Sequence, residues 1–366
     1  MGLKCGIVGL PNVGKSTLFN ALTSSKAEAA NYPFCTIDPN VGVVAVPDDR
    51  LEKISSFVKP QNQVPTVIEF VDIAGLVAGA SQGEGLGNKF LSNIRETDAI
   101  LHVVRCFVDP NVVHVSGTVD PLRDIDIINT ELMLADLDSI EKRFKKTEKL
   151  ALTSKDPKVK SEFNIVKKLY EALKEGKPAR TVAIEEDEAQ VLYEMHLLTS
   201  KPVLYVCNVS EDEFLNGKSE MAEKVAAHAK SENNLSLVIC SQMEAEIAQL
   251  ELSERGEFLS SMGIKEPGLH RLIRESYQLL NLITYFTAGE KEVRAWTIHK
   301  GDRAPQAAGV IHTDFERGFI RADTYHCNDL FQLKSESAVK EAGKYRSEGK
   351  DYLVQDGDIL LFRFNV

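Results

Sequence analysis

Gly9-Leu10-Pro11-Asn12-Val13-Gly14-Lys15-Ser16-Thr17 decides the fold. An apolar run at 3–8 precedes it and a helical pattern at 18–22 follows, so it reads as strand, glycine loop and helix amino-terminus. That order makes a phosphate-binding loop, because successive backbone N–H groups and the helix dipole converge on an anion. Gly9 and Gly14 permit the turns that aim those amides. Lys15 supplies a point charge to the β and γ phosphates, a candidate role in catalysis as well as binding. The Ser16 hydroxyl is a candidate ligand for Mg2+. The competing reading, a glycine turn beside a solvated lysine, leaves the flanking strand and helix unexplained. A nucleoside triphosphate is the expected ligand.

Apolar, β-branched segments at 41–46, 66–71, 99–105, 202–207 and 235–239 alternate with helical segments. With the run at 3–8 they predict an α/β fold, a mostly parallel sheet with helices on both faces, since parallel neighbours need crossovers. Ligands of such sheets bind beyond the carboxyl ends of strands, where the glycine loop falls. A long insertion at 120–199 separates the fourth and fifth core strands. Its apolar spacing is helical from Ile128 to Phe144, breaks at 153–157 and resumes at 163–173, which predicts a projecting α-helical hairpin or short coiled coil. Residues 141–180 hold 13 Lys+Arg against 6 Asp+Glu, about +7, while the rest of the chain carries about −18. A solvated helix face is one reading of that charge, and an RNA-contacting arm is the other. After Leu282, short strands at 293–298, 318–322 and 359–364 with one helix at 304–310 predict a small, mainly antiparallel domain. The expected organisation is a nucleotide-binding domain, 1–281, carrying the insertion, and a second domain, 282–366.

A chain of 366 residues, 43% hydrophobic, can bury a large core and form two or three domains. Its formal charge of −11 and pI near 5.4 argue against a broad surface for coating nucleic acid, but not against a local basic patch. Cysteines 5, 35, 106, 207, 240 and 327 are scattered without a Cys-x-x-Cys pair, as buried thiols of a reducing cytosol would be. Cys35, in a loop, reads either as oxidation-sensitive or as a tolerated small side chain. The first apolar stretch is broken by Lys4 and no run reaches the length of a membrane span. A cytoplasmic protein without membrane attachment is the expectation.

Asp72-Ile-Ala-Gly75 follows the strand at 66–71. An Asp there serves as outer ligand to Mg2+, and Gly75 lets a backbone N–H approach the γ-phosphate. Thr36, between the first helix and second strand, stands where a switch threonine closes on Mg2+. The base-recognition element should follow the fifth strand, at Asn208-Val209-Ser210-Glu211. GTPases place Asn-Lys-x-Asp here, the Asp accepting from guanine N1–H and N2–H2; Glu211 is a methylene longer and Val209 replaces the bracing lysine. Both changes weaken guanine selectivity. The second base contact would fall near residues 240–243 and is poorly matched. Leu76 occupies the position of the water-orienting glutamine of many switch GTPases and cannot hydrogen-bond a water, so hydrolysis should be slow or assisted. His114 is a candidate water-positioner, with a surface or capping histidine as the alternative. Asn12 offers an oxygen where a bound K+ could stand in for an arginine finger.

Taken with Asn31-Tyr-Pro-Phe-Cys-Thr36, Gly83-Glu-Gly-Leu-Gly87, Ala295-Trp-Thr-Ile298 and Gln355-Asp-Gly-Asp358, these motifs resemble the Obg-like ATPases of the YchF branch over essentially the whole chain. The resemblance implies a P-loop domain, an inserted helical hairpin and a C-terminal TGS domain of β-grasp fold. It implies a Mg2+-dependent, monomeric ATPase that prefers ATP to GTP and meets the ribosome, its RNA or proteins, through the arm and TGS domain. Family nucleotide contacts carry over onto Asn12, Val13, Gly14, Lys15, Ser16, Thr17 and the Asn208–Glu211 loop, with Val209; Mg2+ ligation carries over onto Ser16 and Thr36, and hydrolysis onto His114. A non-catalytic, ATP-sensing scaffold and a GTP-dependent ribosome-associated GTPase are the alternatives.

Overall fold

The computed structural model describes residues 3–24, 40–73, 86–185 and 188–365, excepting the side chains of residues 86–88 and 252. The chain forms two compact units, 1–44 with 69–272, and 45–68 with 273–366.

In the first unit, β1 (Lys4–Val8) leads through the glycine loop into α1 (Lys15–Ser24) and then β2 (Val41–Ala45). The helix α2 (Asp49–Val58) and strand β3 (Asn62–Val64) intervene before β4 (Val67–Asp72), α3 (Leu86–Arg95) and β5 (Ala99–Arg105). The hairpin helices α4 (Pro121–Thr153) and α5 (Pro157–Lys174) follow, then β6 (Val203–Asn208), α6 (Glu220–Ser231), β7 (Leu235–Ile239) and α7 (Ser241–Gln249), and α8 (Gly268–Leu279) begins in this unit and continues into the second. The sheet order is β2-β4-β1-β5-β6-β7, with β4, β1, β5, β6 and β7 paired in parallel. Every residue of β5 and β6 is buried, as the near-continuous apolar runs of central parallel strands require. The α/β expectation therefore holds.

Pro157 starts α5 and Asp156 caps it by accepting from Lys158 N–H, so the break at 153–157 is a true turn. Asp120 caps α4 in the same way. The two helices close on Ile140, Ile165, Val166, Leu169 and Leu173, with Phe144 stacked on Tyr170 at 4.8 Å. At the root of the hairpin, the Asp136 carboxylate accepts from Leu198 N (2.8 Å), Thr199 N (2.7 Å) and Thr199 Oγ1 (2.7 Å). Lys201, just beyond, donates from Nζ to Arg95 O and Thr97 O, capping the carboxyl end of α3.

The second unit continues with β8 (Leu282–Ala288), β9 (Glu292–His299), α9 (Ala304–Ile311), α10 (Thr313–Arg317), β10 (Phe319–His326), α11 (Cys327–Leu333), α12 (Glu336–Glu341), β11 (Arg346–Glu348) and β12 (Asp358–Phe364). Its sheet order is β11-β10-β12-β8-β9-β3. β12 lies parallel to β8 in the centre, while the β8–β9 and β10–β12 pairs are antiparallel. Ala304, Ala307 and Ala308 of α9 fill one face against Tyr285, Leu360 and Phe362. On the other, Leu51 and Ile54 of α2 pack with Phe286, Val293 and Ile359.

Two features differ from expectation. Residues 45–68 belong to this second unit: β3 pairs in parallel with β9, and Arg50 binds Asp356 at 2.7 Å. The segment's apolar spacing specifies a helix but not the sheet it packs on. The C-terminal part also holds four short helices rather than one, and β8 precedes the first strand expected there, because helices this short carry too few turns to show periodicity. Cys5, Cys106, Cys207, Cys240 and Cys327 are buried; Cys35 lies outside the described residues. Among the described residues no helix is long and apolar enough to cross a membrane.

Candidate nucleotide-binding site

The glycine loop turns where β1 ends. A Cβ at Gly9 would stand 2.5 Å from Val103 O, and Gly14 has φ +98° with no room for a Cβ beside Asn208 Nδ2. Only glycine fits either position. Val13 is buried beneath the loop, and Ser16 and Thr17 are exposed in the first turn of α1. Lys15 is buried, and its ammonium donates to Gly9 O (3.0 Å) and Leu10 O (3.2 Å). Burial holds that ammonium below its ordinary pKa, with the charge of Asp72 opposing the shift.

Asp72, at the carboxyl end of β4, shows the reverse: burial raises its carboxyl and Lys15 pulls it back. Its Oδ1 is buried with no hydrogen-bond partner among the described residues. A buried cation and a carboxylate with one oxygen buried and unpaired among the described residues are both costly as they stand. The donor chemistry, a Ser16 hydroxyl with an orphaned carboxylate oxygen, fits a hard divalent cation such as Mg2+. Among the described residues no group of three or more His, Cys, Asp or Glu could hold a metal.

Asn208 braces three segments. Its Nδ2 donates to Val13 O at 2.9 Å and its Oδ1 accepts from Ser241 N at 2.9 Å, tying the glycine loop to the end of β6 and the start of α7. Val209 is buried, and Glu211 is exposed at the start of a short helix, Glu211–Asn216, that Ser210 and Glu213 close with a capping box. Glu211 is close enough to add, after burial, to the raised pKa of the Cys240 thiol. The base loop and residues 240–243 are thus neighbours. Ser241 Oγ is buried there without a partner among the described residues.

His114 is buried, and Nδ1 accepts from Ser116 N (3.1 Å), so Nε2 donates to Asp124 Oδ2 at 2.8 Å. A surface histidine is thereby excluded, and the ring caps its own turn. The loop around it is set by Arg105, which sequence reasoning missed. This arginine is 1% exposed and has no carboxylate partner among the described residues. It donates instead to Phe107 O, Asp109 O and Val112 O and lies 4.6 Å over the Phe107 ring. The only signal for it was a cation closing the apolar run at 99–105. Asn12, at φ +62°, donates to Val113 O of the same loop at 3.2 Å, and its side-chain oxygen has no partner among the described residues. Thr36, Gly75 and Leu76 lie outside the described residues.

Residues 4–135 match the family model described as a 50S ribosome-binding GTPase, and 282–365 match the C-terminal domain model of YchF GTPases, described as a protein of unknown function. The chain is 58% identical, over the full length of both, to the ribosome-binding ATPase YchF of Bacillus subtilis, and 57% identical to that of Haemophilus influenzae. The chain belongs to the YchF family. The solved YchF GTPase of Schizosaccharomyces pombe is 42% identical, covers 99% of this chain and 98% of its own, and superposes with a TM-score of 0.89. These YchF relatives are named for ATP in one case and GTP in another, so the name alone leaves the base open. A GTP-binding protein of Pyrococcus horikoshii, 20% identical with a TM-score of 0.61, shares the fold.

Proposed function

We propose that the chain is a slow, Mg2+-dependent ATPase that binds ATP in preference to GTP and associates with ribosomes. The observation that carries the nucleotide reading is the pairing of the glycine loop with Asn208-Val209-Ser210-Glu211, joined through the Asn208 hydrogen bonds to Val13 and Ser241. Asn208 fixes the base loop against the phosphate loop, so base and phosphates are recognised by one rigid unit. Exposed Glu211 replaces the shorter carboxylate that would accept from guanine, and Val209 is buried where a lysine would brace the loop. Full-length relatives named ribosome-binding ATPases support the same reading.

On binding, the Lys15 ammonium exchanges its loop carbonyls for phosphate oxygens, and Ser16, Thr36 and Asp72 hold or orient Mg2+. Bound Mg2+ supplies charge neutralisation to the β and γ phosphates. His114 positions the attacking water only after its ring leaves Asp124, and Leu76 offers no substitute, so turnover is slow. The unpaired oxygen of Asn12 is the candidate ligand for K+. The helical hairpin and the C-terminal unit, as a TGS domain, are the ribosome-facing parts. Calorimetric titration with ATP and GTP in the presence of Mg2+ tests the base reading, and ATP should bind more tightly. Equal affinities, or tighter GTP, would overturn the inference from Glu211.

A further inference from the structure

The cations of the helical hairpin are not spent evenly. Arg143 binds Glu162 at 2.6 Å, Lys168 binds Glu188 at 3.0 Å, Lys177 binds Glu175 at 2.8 Å, and Lys167 faces Glu171 at 3.9 Å. Lys142 and Lys145 pair one turn back with Asp138 and Glu141, each at 2.7 Å. Arg180 binds Glu232, and Lys174 lies over the Tyr170 ring. The remaining five, Lys146, Lys149, Lys155, Lys158 and Lys160, are exposed, make no ion pair with the described residues and all fall at the tip. Only Glu148 and Asp156 oppose them there.

Stability does not call for this arrangement. Lys142 and Lys146, and again Lys145 and Lys149, are like charges spaced i,i+4 on α4, which weakens a helix where Glu–Lys pairs would strengthen it. The aromatic packing of the hairpin also stops short of the tip, at Phe144 against Phe163. Beyond it, Leu150 is 48% and Leu152 82% exposed. We propose that the tip, residues 146–160, is the end of the hairpin that contacts ribosomal RNA. The five lysines meet backbone phosphates, and the two leucines lie against ribose faces in a wide, shallow minor groove. This inference rests on the ribosome association proposed above. Unpaired lysines on long stems suit the diffuse charge of a phosphate backbone.

The test is co-sedimentation with purified bacterial ribosomes across a salt series. Lys146→Gln/Lys149→Gln and Lys167→Gln/Lys177→Gln change the net charge equally, on exposed side chains. The tip variant should bind roughly ten- to thirtyfold more weakly near ~0.15 M salt and lower the log–log salt slope by about 2. The other variant, whose lysines are already paired, should change binding by less than about twofold. Leu150→Ser/Leu152→Ser should weaken binding with the slope unchanged. Equal losses from both lysine variants would assign the effect to a diffuse field and overturn the proposal. Full binding by the tip variant would exclude the tip while leaving ribosome association standing. Loss through the leucines alone would make the tip a protein-docking face and overturn the RNA assignment. A wild-type chain that fails to sediment would sink both readings. Unchanged melting and ATP titration in each variant show that fold and nucleotide site are intact.

Discussion

The phosphate end of the parallel sheet and the root of the helical hairpin each bury a carboxylate oxygen, of half-buried Asp72 and of fully buried Asp136, and they treat it oppositely. At the root, Asp136 is 1% exposed and three donors converge on its carboxylate, two from the backbone of 198–199 and one from Thr199 Oγ1. At the phosphate end, Asp72 keeps an oxygen buried without a partner among the described residues, and Lys15 donates to two loop carbonyls. Burial raises both carboxyls, so both carry a desolvation cost. The root repays it with internal hydrogen bonds. The phosphate end leaves it open to relief by a bound cation and anion. One region satisfies its buried carboxylate internally, and the other does not among the described residues.

Asp136→Ala should break the joint most severely. It strands Leu198 N–H, Thr199 N–H and the Thr199 hydroxyl inside the protein, and the expected loss is about 3 kcal/mol of unfolding free energy in a urea titration. A loss below about 1 kcal/mol would mean that the root is not held by this carboxylate. Lys15→Met probes the other region. Removing a buried ammonium with a depressed pKa should leave melting unchanged, yet weaken ATP about a hundredfold, some 2.7 kcal/mol, by calorimetry. Parallel loss of melting stability would show that Lys15 supports the fold and not only the ligand.

What the sequence made legible follows from how local each signal is. The glycine loop, the strand before it and the helix after it are set by contiguous residues, and every core strand of the first unit fell within a residue or so of its expected bounds. The hairpin was readable because α4 and α5 span enough turns for apolar periodicity to accumulate, and because Asp156-Pro157 is both cap and breaker. The features that escaped are those decided by a partner far along the chain. Leu51 and Ile54 specify a helix, but only the distant Phe286 and Val293 make it part of the second unit. Arg105 reads as the polar end of a strand until its carbonyl partners are known. The charge of the arm was visible as a total, but which lysines are neutralised depends on acids such as Glu188, beyond the end of α5.

A third buried polar group sharpens the contrast between joint and site. His102, on β5 between them, is 2% exposed, its ring 5.5 Å from that of Tyr205. Tyr205 in turn donates to Glu232 Oε2 (3.1 Å), which also receives Arg180 (3.2 Å) and Asn234 (2.9 Å). Burial, and then the charges of Arg180, His228 and Lys15, push the imidazole down to about 3. In the unfolded chain it titrates near its ordinary value of 6.5. Between those two values the unfolded state binds the extra proton, so stability present at neutral pH is lost as pH falls through the histidine range. The loss approaches about 1.4 kcal/mol per pH unit below the ordinary value. Asp136 and Glu244 act with the opposite sign, because burial raises their carboxyls and protonation at low pH stabilises the folded form. The readout is therefore the difference between His102→Gln and wild type in urea titrations from pH 7 to pH 5, where the variant's stability should fall less steeply. Identical slopes would mean that His102 takes up its proton inside the folded protein, and that the polar cluster between sheet and hairpin is open to water.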